Sequence, residues 1–313
     1  MKKIKVIFMG TTDFGVPALE SLVSAGYNVV AAICQPDRPN KRGKKVEILP
    51  LKTKALELGI AVLQPDKINE PQFIEQLKGF AADIFIVAAY GQILSKEVLE
   101  IPPYGALNIH GSRLPEYRGA APIQRAIIDG KATTGVTIMQ MGEGMDTGGM
   151  LSMAETPITE TTTFLSLYRD LSVSGAALMI KTLENLMSGS LKPIPQNDAL
   201  ATYAEKIQKD TGHINWTKSS REILFLINGT DPAPGAYFIY RDQKIKCFLP
   251  EIIVCENQQK PGTIIASNDR DGLVVKTNDG AIKIGSVQAP NKKRMETTTF
   301  LRGNKLEIGT ILN

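Results

Sequence analysis

Along the first two hundred residues, short apolar runs take turns with amphipathic stretches. Lys5 to Met9 is a compact apolar run, Gly10-Thr11-Thr12-Asp13 is a turn carrying helix-capping side chains, and Pro17 to Ala25 has helical spacing closed by Gly26. Asn28 to Cys34 returns as a strand, followed by a helix near Leu51 to Leu58 that Gly59 closes, a strand at Ala61 to Leu63 and a helix from Gln72 to Lys78. Ile84 to Ala89 is apolar at every position, as in a strand covered on both faces; a strand at Ala106 to Ile109 and a helix at Ala121 to Asp129 come next. Val136 to Met141 and Gly149 to Ala154 read as further strands, and Phe164 to Met187 as one long amphipathic helix. Strands alternating with helices in this way predict a doubly wound α/β fold around a mostly parallel sheet. Such sheets take ligands at the carboxyl ends of their strands, which directs attention to the loops after Ala89 and Ile109.

After Met187 the texture changes. Ser188-Gly189-Ser190, Pro193, Pro195 and Gln196-Asn197-Asp198 form a polar stretch without periodicity, which predicts a linker with its boundary near residue 205. Beyond it lie a helical stretch at Arg221 to Asn228 and a turn-rich Asp231-Pro232-Ala233-Pro234-Gly235. Short alternating strands follow at Ala236 to Tyr240, Lys244 to Leu249, Thr263 to Ala266, Gly272 to Thr277 and Ile282 to Val287. Short strands punctuated by Gly, Pro and Asn-Asp predict a small antiparallel barrel of the oligonucleotide-binding (OB-like) kind. The expected organisation is a first domain over residues 1–187, a linker over 188–205 and a barrel domain over 206–313.

A length of 313 residues agrees with two domains, and 43% hydrophobic with 22% charged residues excludes disordered, collagenous and coiled-coil chains. The net charge is +4; residues 1–206 are balanced, so the surplus falls in the barrel region. Within the balanced part, Arg38, Lys41, Arg42, Lys44 and Lys45 crowd together with a single acid, Asp37. Such a cluster suits a polyanion, nucleic acid above all, or is a solvated charge run. The three cysteines, Cys34, Cys247 and Cys255, show no C-x-x-C spacing, which speaks against a disulfide framework or a sulfur-ligated zinc. The run Val6 to Met9 is short for a secretory signal and no apolar stretch reaches the roughly 20 residues of a membrane span. The expectation is a reduced, cytosolic protein.

Familiar nucleotide signatures are missing. Gly10-Thr11-Thr12-Asp13-Phe14-Gly15 follows a strand but has neither the G-x-G-x-x-G order nor a P-loop ending. With two histidines in the chain, His110 and His213, a histidine-rich metal site is arithmetically poor, and a metal-free chemistry is expected. The pattern Asn108-Ile109-His110 at the end of a strand places an amide and an imidazole on one side. An amide N–H can stabilise a developing oxyanion while an imidazole handles a proton near neutrality; alternatively the histidine simply caps the strand end. Gly142-Glu143-Gly144-Met145-Asp146-Thr147-Gly148-Gly149 is dense in glycine, and its pliable backbone can bring Asp146 towards that imidazole; as a lone loop residue Asp146 would bond to its own turn.

Taken together, Asn108-x-His110, the run Ser112-Arg113-Leu114-Pro115-Glu116-Tyr117-Arg118-Gly119-Ala120-Ala121-Pro122-Ile123-Gln124 and Asp146-Thr147-Gly148 resemble the formyltransferases that use 10-formyltetrahydrofolate. Gln35-Pro36-Asp37-Arg38-Pro39, Arg42-Gly43-Lys44-Lys45 and a barrel after a linker are similar to the branch that formylates initiator methionyl-tRNA. The resemblance covers nearly the whole chain and implies a Rossmann-like first domain with Asn108, His110 and Asp146 as the catalytic set. It also implies a folate pocket lined by Gln92, Ile93, Leu94, Ser112, Arg113, Leu114 and Pro115. The basic residues Arg38, Lys41, Arg42, Lys44 and Lys45 would meet the tRNA, with the barrel holding the rest of it; a monomer is implied. Arg113 departs from the pattern, which has a leucine there, and a guanidinium can occupy an apolar slot only by reaching outward. The alternatives are a formyltransferase acting on a small amine, such as a ribonucleotide or an amino sugar nucleotide, a non-catalytic RNA-binding module, and a hydrolase releasing formate.

Overall fold

The computed structural model describes residues 4–38, 48–256 and 258–312. Two compact units emerge. The first holds the chain up to Gly119 together with Gly135–Thr156 and Tyr168–Tyr203; the second holds Ala120–Thr134, Pro157–Leu167 and the chain from Ala204 onward.

The first unit is built on β1 (Lys5–Gly10), β2 (Asn28–Ile33), β3 (Val62–Leu63), β4 (Ile84–Ala88), β5 (Ala106–His110), β6 (Thr133–Gln140) and β7 (Met150–Pro157). Their order across the sheet is β3-β2-β1-β4-β5-β6-β7, parallel through β5, with β6 antiparallel to β5. Val6, Ile7, Phe8 and Met9 are fully buried, and so are Ile84, Phe85 and Ile86. Strands without a polar face are what a sheet covered on both sides requires, which is why β1 and β4 stand at its centre. The order reverses between them, the switch point at which such sheets open a crevice.

Around the sheet lie α1 (Val16–Ser24), α2 (Pro50–Glu57) and α3 (Pro71–Gly79), each with proline in its first turn, where the missing N–H is no loss. The long helix predicted over Phe164 to Met187 is present with those bounds. It lies close to the sheet at Gly175, where a Cβ would stand 2.8 Å from Ile109 Cγ2 and 3.1 Å from Val136 Cγ2. A one-turn helix at Lys96–Leu99, capped by Ser95, has no counterpart in the sequence pattern because four residues are too few to show a period.

In the second unit, β8 (Ala236–Tyr240), β9 (Gln243–Ile253), β10 (Ile264–Asn268), β11 (Gly272–Lys276), β12 (Ala281–Gln288) and β13 (Met295–Glu296) form an antiparallel sheet. Its order is β8-β9-β12-β11-β10, with β13 on β12. This is the small antiparallel domain expected of the carboxy-terminal third. The long strand β9 bends at Leu249, φ +53°, beside Gly285 of β12, where a Cβ would meet the Leu249 carbonyl oxygen at 2.9 Å. Glycine in a strand interior marks such a bend.

Helix Ser220–Thr230 in the same unit packs against helix Pro122–Ile128 at Gly229, where a Cβ would lie 2.6 Å from Ile128 Cγ1. Its start is fixed by a capping box: Ser219 Oγ accepts from the Glu222 N–H at 3.2 Å and Glu222 accepts from the Ser219 N–H at 3.0 Å. The Ser219 N–H, with Lys218 and the Ser219 hydroxyl, holds the Glu222 carboxyl down to about 2. Ser219→Ala is expected to lower unfolding stability by about 1 kcal/mol in urea titrations. Because the folded value is depressed, the contribution of Glu222 is complete above the ordinary carboxylate range and fades as pH falls towards 2. Among the described residues no helix is long and apolar enough to cross a membrane.

Candidate active site

Strand β5 delivers two polar groups to one place. Parallel pairing with β4 sets Val87 opposite Asn108, and antiparallel pairing with β6 sets Asn108 opposite Met139 and His110 opposite Thr137. Alternation along the strand then puts Asn108 and His110 on one face. The loop between β6 and β7 carries Asp146 to both: its Oδ2 lies 3.6 Å from His110 Nδ1 and its Oδ1 3.5 Å from Asn108 Nδ2. The three candidates chosen from the sequence therefore converge. These separations exceed good hydrogen-bond lengths.

The loop has little freedom. Asp146 has φ +53°, a left-handed conformation that Asp and Asn tolerate better than other residues with side chains. The Gly119 N–H donates to its Oδ2 at 2.8 Å. At Gly148 a Cβ would stand 1.8 Å from the Gln140 carbonyl oxygen, so the chain can pass there only as glycine.

His110 is 5% exposed, and its Nε2 lies 3.0 Å from the Tyr117 carbonyl oxygen. A carbonyl oxygen only accepts, so Nε2 carries a hydrogen and Nδ1 is the atom left to face Asp146. In a neutral ring Nδ1 offers a lone pair; in a charged ring it offers a second N–H. Either way the proton-handling atom is fixed by the Tyr117 backbone, which itself adopts φ +59°. That contact was not visible in the sequence, because backbone direction at a tyrosine leaves no compositional trace.

The residues expected around the folate divide into two groups. Gln92 is committed to neighbouring backbone: its Oε1 accepts from the Ile68 N–H at 2.9 Å and its Nε2 donates to Pro65 O at 3.2 Å. Leu94 and Leu114 are buried, and Ser112 donates to Glu116 O at 2.6 Å while its own carbonyl accepts from Thr137 Oγ1. The Thr202 N–H donates to the Pro115 carbonyl at 3.3 Å. Ile93, by contrast, is 75% exposed. Arg113 reaches outward to Glu155, with Nη1 to Oε2 at 2.9 Å, which is how this side chain stands in a leucine's position without burying its charge.

An open cavity of about 600 Å³ is lined by Gln35, Arg38, Asp66, Asn69, Gln92 and Ile93 among others, on the β2 and β4 side of the sheet. Its lining does not include Asn108, His110 or Asp146. Of the basic cluster, Arg38 is exposed beside this cavity, and Lys41, Arg42, Lys44 and Lys45 lie outside the described residues. Asp37, the one acid among them, is taken up by Lys52 and by Gln64 Nε2 at 3.0 Å. The hydrogen bond from Lys52 first, then that from Gln64, holds the Asp37 carboxyl below its usual range.

Two further side chains, neither among the expected site residues, bear on the site. Gln196 Nε2 donates to the carbonyls of Asp146 at 2.7 Å and Gly148 at 2.8 Å. Buried Arg118 donates through Nε to Gln196 Oε1 at 2.9 Å.

The family described as formyl transferase matches residues 2–183, and the formyl transferase C-terminal domain matches residues 206–305. Matches to both family models, over a doubly wound sheet followed by an antiparallel domain, define the chain as a formyltransferase. It is 44% identical over 308 residues to a methionyl-tRNA formyltransferase of Ruminiclostridium cellulolyticum, with 98% of each chain covered. It is 46% identical over 301 residues to one from a Geobacillus species, covering 96% of this chain and 94% of that one. The chain belongs to the methionyl-tRNA formyltransferase family. The fold is shared with HypX from Aquifex aeolicus in complex with tetrahydrofolic acid, at TM-score 0.67 and 18% identity over 99% of this chain and 51% of that one. It is shared as well with WlaRD, a sugar 3N-formyl transferase, at TM-score 0.67 and 21% identity over 94% of this chain and all of that one.

Proposed function

We propose that this chain transfers the formyl group of 10-formyltetrahydrofolate to the free α-amine of initiator methionyl-tRNA, in the cytoplasm and as a monomer. The observation that carries the reading is the convergence of Asn108, His110 and Asp146 at the carboxyl end of β5. Relatives that match across nearly the full length and carry the methionyl-tRNA formyltransferase name support it.

The amine attacks the formyl carbon, and the carbonyl oxygen becomes an oxyanion that accepts hydrogen bonds from Asn108 Nδ2 and from a charged His110 through Nδ1. Asp146 faces that nitrogen, stabilises the charged ring, and takes the amine's proton through water. Collapse of the adduct re-forms the carbonyl and breaks the bond to the folate nitrogen, which leaves with the proton that Asp146 received from the amine, returned through water. No covalent bond to the protein forms. Ile93, Leu94, Arg113, Leu114 and Pro115, held by the loops that Gln92 and Ser112 fasten, border the folate.

Residues 1–187 form the catalytic domain in this reading, 188–205 the connection, and 206–313 the part that grips tRNA, with Arg38, Lys41, Arg42, Lys44 and Lys45 reaching acceptor-stem phosphates. Arg42→Ala is expected to weaken use of charged tRNA and to reduce the slope of log affinity against log salt by about one, leaving folate affinity unchanged. Binding titrations at several salt concentrations check this. The function itself is tested by incubating purified protein with 10-formyltetrahydrofolate and methionine-charged initiator tRNA. Uncharged tRNA and an amino-bearing ribonucleotide are the controls. Formylation of the charged tRNA alone is expected; equal formylation of the ribonucleotide would contradict the reading.

A further inference from the structure

We propose that Gln196 is a positioning residue for the transfer reaction, and that the segment 188–205 braces the active-site loop as well as connecting two domains. The proposal rests on the role given to Asp146 above. Both hydrogens of the Gln196 amide are spent on the loop that carries this carboxylate, one on the Asp146 carbonyl at 2.7 Å and one on the Gly148 carbonyl at 2.8 Å. Its oxygen accepts from Arg118 Nε at 2.9 Å, so the amide cannot flip without exchanging donors for acceptors at three contacts.

Arg118 is 2% exposed, and its Nη2 donates to Asp198 Oδ1 at 2.7 Å. A guanidinium is brought into the interior where partners meet its hydrogen bonds, and here Gln196 and Asp198 of the same short segment take two of them, from Nε and Nη2. A third residue of the segment acts on the other partner: Thr202 Oγ1 accepts from the Tyr117 N–H at 2.8 Å, and the Tyr117 carbonyl holds His110 Nε2. The polar stretch that looks like an unstructured linker in sequence thus holds Asp146 from one side and the tautomer of His110 from the other. The two Gln196 bonds fall on the backbone on either side of Thr147, next to the left-handed Asp146 and the close passage at Gly148, so they fix the path that carries the carboxylate.

The test compares the full-length protein with Gln196→Ala, Gln196→Glu, Asp146→Asn and the double change Gln196→Glu/Asp146→Asn. Turnover, KM for both substrates, tetrahydrofolate affinity and melting temperature are measured for each. Gln196→Glu keeps an acceptor for Arg118 but sets a charged carboxylate oxygen against the Asp146 and Gly148 carbonyls, so it drives the loop off its path, whereas Gln196→Ala removes the two donors without adding charge. Both single Gln196 changes are expected to lower kcat by roughly 10- to 100-fold, the effect of a displacement on the order of 1 Å, with KM and tetrahydrofolate affinity within about twofold. In the Asp146→Asn background the same change is expected to cost less than about threefold, since a residue acting through another has nothing left to act on. A Gln196→Glu protein that turns over normally would overturn the proposal, as would a full drop persisting in the Asp146→Asn background. Normal turnover in Asp146→Asn itself would instead remove the role of Asp146, a separate result that takes the proposal with it.

Discussion

Asn108→Ala is expected to bind the folate donor as tightly as the unaltered chain and to lose about 10²- to 10³-fold in turnover, the usual cost of one missing oxyanion donor. The size follows from position. Asn108 sits on a strand locked between β4 and β6, so its amide is aimed before any substrate arrives and needs no reorganisation as charge develops. Such a donor strengthens its bond in the transition state more than in the bound substrate, which places the loss in kcat and leaves KM nearly unchanged. Single-turnover formyl transfer alongside donor titration checks both halves. An unchanged rate would remove Asn108 from the chemistry.

Asp146→Asn is expected to cost about 10²- to 10⁴-fold in kcat, the range for losing a positioned acid–base group. Asparagine is the informative replacement because it tolerates φ +53° and still offers an oxygen to the Gly119 N–H, so the loop keeps its path. What disappears is the negative charge facing His110 Nδ1 and, in the proposed reaction, the base for the amine's proton. The melting temperature is expected to stay within a few degrees of the unaltered protein, which separates lost chemistry from a lost loop. Steady-state rates with methionyl-tRNA as acceptor measure the effect.

Much of the first unit was legible because its strands announce themselves by uniform apolarity and its helices by proline and glycine at their ends. Ile84 to Ala88 and the helix Phe164–Met187 stand where the pattern placed them. Asn108 and His110 could be paired from strand alternation alone, since two residues apart on a strand means the same face. Asp146 could be suspected from its glycine-rich surroundings, yet its distance from His110 depends on the register of β6 against β5, which the sequence does not display.

The support of the site was not legible at all. Gln196 and Thr202 act through backbone carbonyls and N–H groups on remote segments, and hydrogen bonds of that kind impose no periodicity on either partner. Ser112 and Gln92, singled out as pocket residues, turn their side chains to backbone and act on loop shape. The burial of Arg118 was equally hidden, because a lone arginine between Tyr117 and Gly119 reads as exposed until its partners Gln196 and Asp198 are known.

In the proposed reaction one amide, one imidazole nitrogen and one carboxylate surround a single formyl carbon. A crystal structure with a non-reactive folate donor analogue and a methionyl-tRNA acceptor-end analogue bound together tests it most directly. Asn108 Nδ2 and His110 Nδ1 are expected within about 3 Å of the formyl oxygen, with Asp146 still facing the imidazole. A carboxylate turned away from His110 while both analogues fill the cleft would contradict it.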